Sequence, residues 1–296
     1  MAKTEPLMPP KQYTMSPTLA SNFDKHRDGM MVKQTMKGCL QSACGCQAQS
    51  EYHISGLDWT YLSSPTVLKE GAASLPDELY VLEDSSCCMR FCWRDGRPMT
   101  VNISQGAEAG GPLVASFKKG CGMPLYFTVQ VPLPAGSDDV TWVPCILPCC
   151  CALPSFVGSD AEGNEFSSMQ YDCNQNYCVG KFTYFEDGEP VYKLSPDTCC
   201  GGCCIMPKFG GKSRYVVPFY FRDPATGEKI VNSDGTTPQI SKVWAGLKKE
   251  CCSSADSFAT FFPEGCDARR KAGLIGLTVL LDFTVFERQQ QATTEV

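Results

Sequence analysis

The stretch WAGLKKECCSSADSFATFFPEGCDARRKAGLIGLTVLLDFTVFE, residues 244–287, decides the fold. Its second part, residues 272–286, is a run of 15 residues with one charge, Asp282, set between Arg269, Arg270 and Lys271 on one side and Glu287 and Arg288 on the other. A run this apolar has to be buried, since each large hydrophobic side chain left in water forgoes roughly 1.5–3 kcal/mol. Spanning a bilayer takes roughly 20 apolar residues, so the run is short for that task. An Asp at lipid depth would add a penalty of at least about 2.5 kcal/mol. A helix that is apolar all round is otherwise wrapped in protein. The expectation is a core helix over residues 268–287, with Leu274, Ile275, Leu277, Val279, Leu280, Leu281, Phe283 and Phe286 in the interior. Asp282 then has to be hydrogen-bonded or protonated, because an unpaired buried carboxylate is too costly to keep charged.

The wrapping is read from what precedes the helix. Between residues 57 and 243 the chain repeats one theme, a run of four to seven β-branched or aromatic residues followed by a Gly, Pro, Asp or Asn cluster. MTVNIS (99–104), LYFTVQV (125–131), VTWVPCI (140–146), KFTYF (181–185), PVYKL (190–194), YVVPFYF (215–221) and EKIV (228–231) are read as strands. Asp95-Gly96, Asp187-Gly188, Gly201-Gly202, Gly210-Gly211 and Asp234-Gly235 supply hairpin turns, where Gly takes φ > 0 at little steric cost. No long amphipathic helix alternates with the strands, which argues against a parallel α/β sheet. The fold class is mainly β: an antiparallel closed barrel of about 12 strands around the buried C-terminal helix, closure being the way to remove exposed edges.

Composition narrows function. The chain has 296 residues, a net charge of −6 and a pI near 5.1, which argues against general nucleic-acid binding, since that needs a concentrated excess of Lys and Arg, and leaves room for a local basic patch. Its 20 cysteines fall in adjacent groups, and the N-terminus carries no apolar signal segment, so they are expected as free thiols, acyl acceptors or metal ligands in a reducing compartment. Residues 1–48 lack any sustained period and are expected to be a flexible polar tail, with Pro9-Pro10 and Tyr13 as its only partner-docking signal. Residues 49–290 are expected to form the barrel domain and 291–296 a disordered tail.

The segment 240–287 resembles the phospholipid scramblase family, whose architecture is the tubby-like barrel around a C-terminal helix. The matching motifs are Lys242 and Trp244, then Ala255-Asp256-Ser257-Phe258 with Phe262-Pro263, then Asp282-Phe283 with Phe286-Glu287. Arg97-Pro98-Met99-Thr100-Val101, Lys181-Phe182-Thr183 and the cysteine-rich hairpin Cys199-Cys200-Gly201-Gly202-Cys203-Cys204 extend the similarity. The resemblance implies a protein that moves phospholipids in both directions between leaflets under Ca²⁺ control without covalent chemistry. It also implies a lipid-anchored or peripheral place on the cytoplasmic face of the plasma membrane, with phospholipids and the membrane surface as partners; protein partners through the N-terminal tail are read from Pro9-Pro10 and Tyr13 alone.

The same resemblance puts a Ca²⁺ site in the acidic segment, with Asp256 and Asp267 at matching carboxylate positions; Ser254 and Gly265 stand where the family has acidic residues, so the expected ligands are Ser254, Asp256, Asp267 and, beside the gap, Glu264. Calcium takes six to eight oxygen ligands, which nearby carboxylates, a hydroxyl and backbone carbonyls can supply. The alternative for Ser254 to Asp256 is a cap that solvates the turn ahead of the helix. Lipid attachment is expected at Cys149, Cys150 and Cys151, between two Leu-Pro pairs, with Cys121 at the position implied by the family. Zn²⁺ on Cys199, Cys200, Cys203 and Cys204, completed by Cys173 and Cys178 or by Cys87, Cys88 and Cys92, is a second reading of the cysteines.

Conventional catalysis finds little footing. The chain has two histidines, His26 and His53, and neither a Walker loop nor a dinucleotide fingerprint. The competing function is a membrane-tethered binding module for anionic headgroups or protein partners, using Lys118, Lys119, Lys208, Lys212 and Arg214.

Overall fold

The apolar run forms the expected core helix. In the computed structural model it is the body of α2 (Ala268–Leu281), which continues into a π-helical turn over Asp282–Phe286. All eight residues named for the helix interior, from Leu274 to Phe286, are buried. Two glycines let neighbours reach the helix backbone: a Cβ at Gly276 would lie 2.2 Å from the Phe117 ring, and one at Gly273 would lie 2.3 Å from the Tyr184 hydroxyl. The structure describes residues 13–35, 49–63, 68, 74–88, 90, 97–120, 126–132, 140–146, 153–172, 180–199, 204–210, 214–243 and 256–286.

The wall is a single antiparallel sheet. β1 (Gly29–Gln34), β2 (Glu51–Leu57), β3 (Leu79–Asp84), β4 (Met99–Gln105) and β5 (Leu113–Lys119) pair in succession. Among the described residues, β6 (Tyr126–Pro132) and β7 (Val140–Ile146) then pair only with each other, and β8 (Ser155–Asp160) returns to β5. β9 (Glu165–Tyr171), β10 (Phe182–Glu186) and β11 (Glu189–Pro196) continue the wall, followed by a small hairpin of β12 (Thr198–Cys199) and β13 (Cys204–Ile205). β14 (Lys208–Gly210), β15 (Arg214–Arg222), β16 (Gln239–Val243) and β17 (Ser257–Phe261) complete it. β17 pairs with β1 and β11 with β15, which closes a barrel of 12 strands, β14 lying beside the other half of β15 as a 13th.

Period-two alternation decides which side chains meet the helix. In β4, Met99, Val101 and Ile103 are buried and the residues between them are not. Near the β1–β17 seam both faces are apolar: Met30 and Val32 point into the core, while Met31 joins Phe261, Ala259 and Val243 in a second, outer cluster. A 3-10 turn over Trp59–Ser63 covers this outer patch, with the Trp59 ring stacked on Phe261 at 5.0 Å.

Several expectations need correction. Residues 1–48 are not uniformly a tail: α1 (Pro17–Phe23) and β1 both lie inside that range. Leu19 and Phe23, four residues apart and so on one helix face, are fully buried in the core, and the Lys271 ammonium donates to the Phe23 carbonyl at 3.4 Å. Tyr13 donates to Asp160 at 3.1 Å and Ser16 to Glu162 at 2.8 Å, fastening the segment to the barrel. EKIV is not a strand; its only ladder contact is an isolated bridge between Arg222 and Lys229, because the Asp223 turn bends the chain back over three residues. Leu57 is the last residue of β2, and the chain turns from there into the 3-10 segment.

Candidate functional site

One group of the polar side chains that the barrel buries gathers around the C-terminal end of α2. On β2, alternation turns Tyr52 and Ile54 inward, and the Tyr52 hydroxyl donates to the Asp282 carboxylate at 2.7 Å. On β16 the same alternation places Lys242 on the face of Ile240, where its ammonium lies 4.4 Å from the centre of the Phe286 ring. Lys242 pairs at 2.8 Å with Asp256, which enters the barrel just ahead of β17 and is 3 % exposed. Two buried carboxyls therefore share the neighbourhood of one ammonium. Burial pushes the Asp282 carboxyl up to about 7, and the charge of Asp256 adds to the rise against the opposing pull of Tyr52 and Lys242. Burial also raises Asp256, with Lys242 working the other way. The physical sense is that one carboxylate is balanced by Lys242 and the other holds a proton near neutrality.

A second buried pair stands on the neighbouring strands. Alternation in LYVLED brings Glu83 to the inner face with Leu79 and Val81, where Arg97 meets it through two hydrogen bonds, at 2.7 and 3.0 Å. Glu83 also accepts from the Ser50 N–H and the Ser85 hydroxyl. Burial alone would raise its carboxyl; Arg97 and these donors overcome that and hold it below the usual range. The Arg97 guanidinium lies 5.5 Å from the Phe283 ring centre, and the buried Lys119 ammonium donates to the Arg97 carbonyl at 3.0 Å. Phe283, between Tyr52 and Arg97, and Phe286, beside Lys242, thus connect the helix end to both polar groups.

At the other end of α2 the charges are structural clamps. Asp267 caps the helix, its carboxylate accepting from the Arg270 N–H at 2.8 Å. Arg269 grips Asp187 and Arg270 grips Glu186, each through two hydrogen bonds of 2.7–3.0 Å.

Three of the residues expected to hold calcium, Asp256, Glu264 and Asp267, each engage a different protein partner. Asp256 is inside the barrel, Asp267 caps α2, and Glu264 accepts from the Ser233 N–H and hydroxyl, both at 2.9 Å. Ser254 lies outside the described residues. Among the described residues, no three His, Cys, Asp or Glu side chains gather in a form that would hold a metal ion. Asp256 is a buried ion-pair partner and not part of a solvated turn cap. Of the cysteines, Cys92, Cys121, Cys149, Cys150, Cys151, Cys173, Cys178, Cys200 and Cys203 lie outside the described residues, as do Trp244 and Lys212. Cys88 and Cys199 are exposed, and Cys266 lies 3.8 Å from the Tyr192 hydroxyl. Cys87 is disulfide-bonded, against the expectation for that cluster. Of the basic candidates, Lys118 is exposed, Lys119 is buried, and Lys208 lies over the Tyr220 ring at 5.2 Å.

Sequence reasoning missed the partnership of Lys242 with Asp256 and that of Glu83 with Arg97. The signal was present in both: a charged residue at an inward position of an alternating strand. Both histidines face acidic side chains, His26 near Glu78 at 3.4 Å and His53 near Asp77 at 3.5 Å.

Residues 229–288 match the family model described as Scramblase. The matched segment contains Lys242, Asp256, Asp282, Phe283 and Phe286, so it covers most of the buried cluster. Among curated proteins, the chain is 25% identical over 212 residues to phospholipid scramblase 1 of Mus musculus, a match covering 71% of this chain and 51% of the relative. It is 27% identical over 211 residues to phospholipid scramblase 1 of Homo sapiens, covering 70% and 52%. Phospholipid scramblase 2 of Bos taurus is 27% identical over 221 residues, covering 72% and 59%. The chain thus spans about half the length of the curated relatives it matches. No solved structure matches it.

Proposed function

We propose, from the match of residues 229–288 to the Scramblase family model and the similarity to curated phospholipid scramblases, that this chain is a scramblase relative that promotes Ca²⁺-dependent, bidirectional movement of phospholipids between the leaflets of a membrane. The observation that carries the reading is the family match over residues 229–288, which takes in the core helix and the buried Lys242–Asp256–Asp282 cluster. No covalent bond is made or broken in this activity. The task is to lower the cost of taking a charged headgroup across hydrocarbon, which desolvation makes large. Because α2 fills the barrel interior, the lipid would travel along the outside of the protein. Calcium would have to compete with protein partners, since Asp256 is paired to Lys242, Asp267 to the helix end and Glu264 to Ser233. Acylation at Cys149, Cys150 and Cys151 or at Cys121 would hold the protein at the cytoplasmic face of the plasma membrane, stable anchoring taking more than one chain.

A second reading is a membrane-tethered module that binds anionic headgroups or protein partners without moving lipid. What favours it is that, among the described residues, no helix is long and apolar enough to cross a membrane, and the most apolar one is buried. Reconstitution into liposomes with a leaflet-specific fluorescent lipid separates the two. Calcium-stimulated exchange between leaflets is expected; vesicle binding with no exchange at any calcium concentration would overturn the first reading and leave the second.

A further inference from the structure

Two hydroxyls fasten the segment ahead of β1 to the barrel, and both do so as donors to carboxylates of the β8–β9 hairpin. The Ser16 hydroxyl donates to Glu162 at 2.8 Å and the Tyr13 hydroxyl to Asp160 at 3.1 Å. The Ser16 N–H reaches back to the Tyr13 oxygen at 3.3 Å, so the two fastenings make one latch. Burial pushes the Tyr13 phenol up to about 12, with Asp160 adding to the rise against the pull of the Ser16 N–H and Arg269, and the latch keeps its protons at neutral pH. Behind it α1 packs on the first turn of α2, where Lys271 donates to the Phe23 carbonyl and Leu19 and Phe23 complete the core.

Ser16 is followed by Pro17, the dipeptide that proline-directed kinases read in a substrate. Among the described residues Ser195 and Thr237 also precede a proline, but Ser195 sits within β11 and Thr237 just ahead of β16. Ser16 is the one whose hydroxyl fastens a segment that can part from the barrel without opening its wall. The Ser16 side chain is 3 % exposed, while Thr14 and Pro17 face water. It opens α1 without making a cap bond, and a helix of seven residues is too short to hold by itself. Peeling Tyr13 and Ser16 from the hairpin is thus a local opening, of the kind that termini undergo far more often than the whole fold does.

Phosphorylation would invert the bond that closes the latch. Ser16 Oγ attacks the γ-phosphorus of ATP, the new O–P bond replaces the P–O bond to ADP, which leaves, and the hydroxyl proton passes to the base of the kinase. A donor to Glu162 becomes a group of about −1.5 to −2 charge whose oxygens are acceptors. Asp160 cannot swing away from it, because its carboxylate also accepts from the N–H groups of Glu162 and Asn164, at 3.1 and 2.7 Å. The cation at the latch, Arg269 over the Tyr13 ring at 4.9 Å, is already bound to Asp187 and to the Phe166 carbonyl. We propose that Ser16 is a phosphorylation site for proline-directed kinases, and that its phosphate releases the Tyr13–Ser16 latch and α1 from the first turn of α2. The site goes beyond the transport reading and does not depend on it.

The test treats the folded full chain with Mg²⁺-ATP and a cyclin-dependent kinase, locates the phosphate by peptide mass spectrometry and follows amide hydrogen exchange. Phosphate is expected on Ser16. The amides of α1 should then exchange about ten- to a hundredfold faster, which corresponds to losing one hydrogen bond to a charged group. Exchange in the β10–β11 hairpin should stay as it was, because the barrel remains closed. Glu162→Ala should speed the modification by loosening the latch, and Pro17→Ala should abolish it. Ser16→Ala, treated with the same kinase, should show none of the acceleration, which separates Ser16 from any phosphate at Ser195 or Thr237. An unmodified Ser16 in both wild type and Glu162→Ala would overturn the site. A phosphate on Ser16 with unchanged exchange would overturn the release, as would slower exchange, since Arg269 would then be holding the phosphate in place. Acceleration that spreads to β10–β11 would overturn it too, by showing global unfolding in place of a local opening.

Discussion

Asp282→Asn tests whether the buried cluster holds a proton, and its sign changes with pH. In the folded chain the Asp282 carboxyl is pushed from its ordinary 3.8 up to about 7 by burial, then by Asp256. A carboxyl whose folded value exceeds its unfolded value keeps its proton longer in the folded state, so between about pH 4 and pH 7 the folded state binds more protons and stability falls as pH rises. At ~1.36 kcal/mol per pKa unit the full penalty is about 4 kcal/mol, complete above about pH 7 and absent below about pH 4. Asparagine keeps the shape, can accept the Tyr52 hydrogen bond and never ionises. Relative to wild type the variant should therefore gain about 3 kcal/mol between pH 5 and pH 8, being near neutral at the lower value and stabilising at the higher. Urea denaturation of both proteins at the two pH values, under the same redox conditions, reads this directly. A stability difference that stays flat across the range would refute the shared-proton account, and a variant destabilised more at pH 8 than at pH 5 would reverse it.

Three further tests probe the frame. Gly276→Ala puts a methyl 2.2 Å from the Phe117 ring, and the overpacking should cost about 1–3 kcal/mol in denaturant unfolding. Arg97→Met leaves the Glu83 carboxylate buried beside two remaining donors and should cost about 3–5 kcal/mol, while adding Glu83→Gln to it should recover much of that loss in a double-mutant cycle. Asp267→Ala removes the α2 cap and should cost about 1 kcal/mol; calorimetry on the same variant should show weakened calcium heat if Asp267 is a ligand as well as a cap.

The helix was legible in the sequence because its burial is all-round: with no polar face over residues 272–281, only a closed shell of protein satisfies it. The requirement on Asp282 was legible for the same reason, and Tyr52 meets it from 230 residues away. The partner's identity was not, since nothing local to β2 points to residue 282. α1 and β1 were hidden by their surroundings. Leu19 and Phe23 are two apolar residues in a polar stretch, too few to make an isolated helix, and they become decisive only once the barrel offers a surface for them. The acidic segment illustrates the opposite error. Asp256, Glu264 and Asp267 lie within 12 positions in sequence, yet β17 and the turn into α2 separate an interior ion pair, a loop anchor and a helix cap.

The β1–β17 seam also sets an order of events on the ribosome. β1 precedes the other barrel strands in sequence, yet one of its neighbours is the last of them, and the helix that fills the barrel is made after that. Until residue 286 has left the exit tunnel, the earlier strands form at most an open sheet, with two unsatisfied edges and an uncovered apolar face. Contacts between such distant segments carry a high entropic cost of closure, which slows folding. Throughout synthesis of the barrel the nascent chain thus exposes the strand edges and apolar surface that favour aggregation. Truncation anywhere before α2 does not yield a smaller barrel; it leaves a sheet with nothing inside to close around.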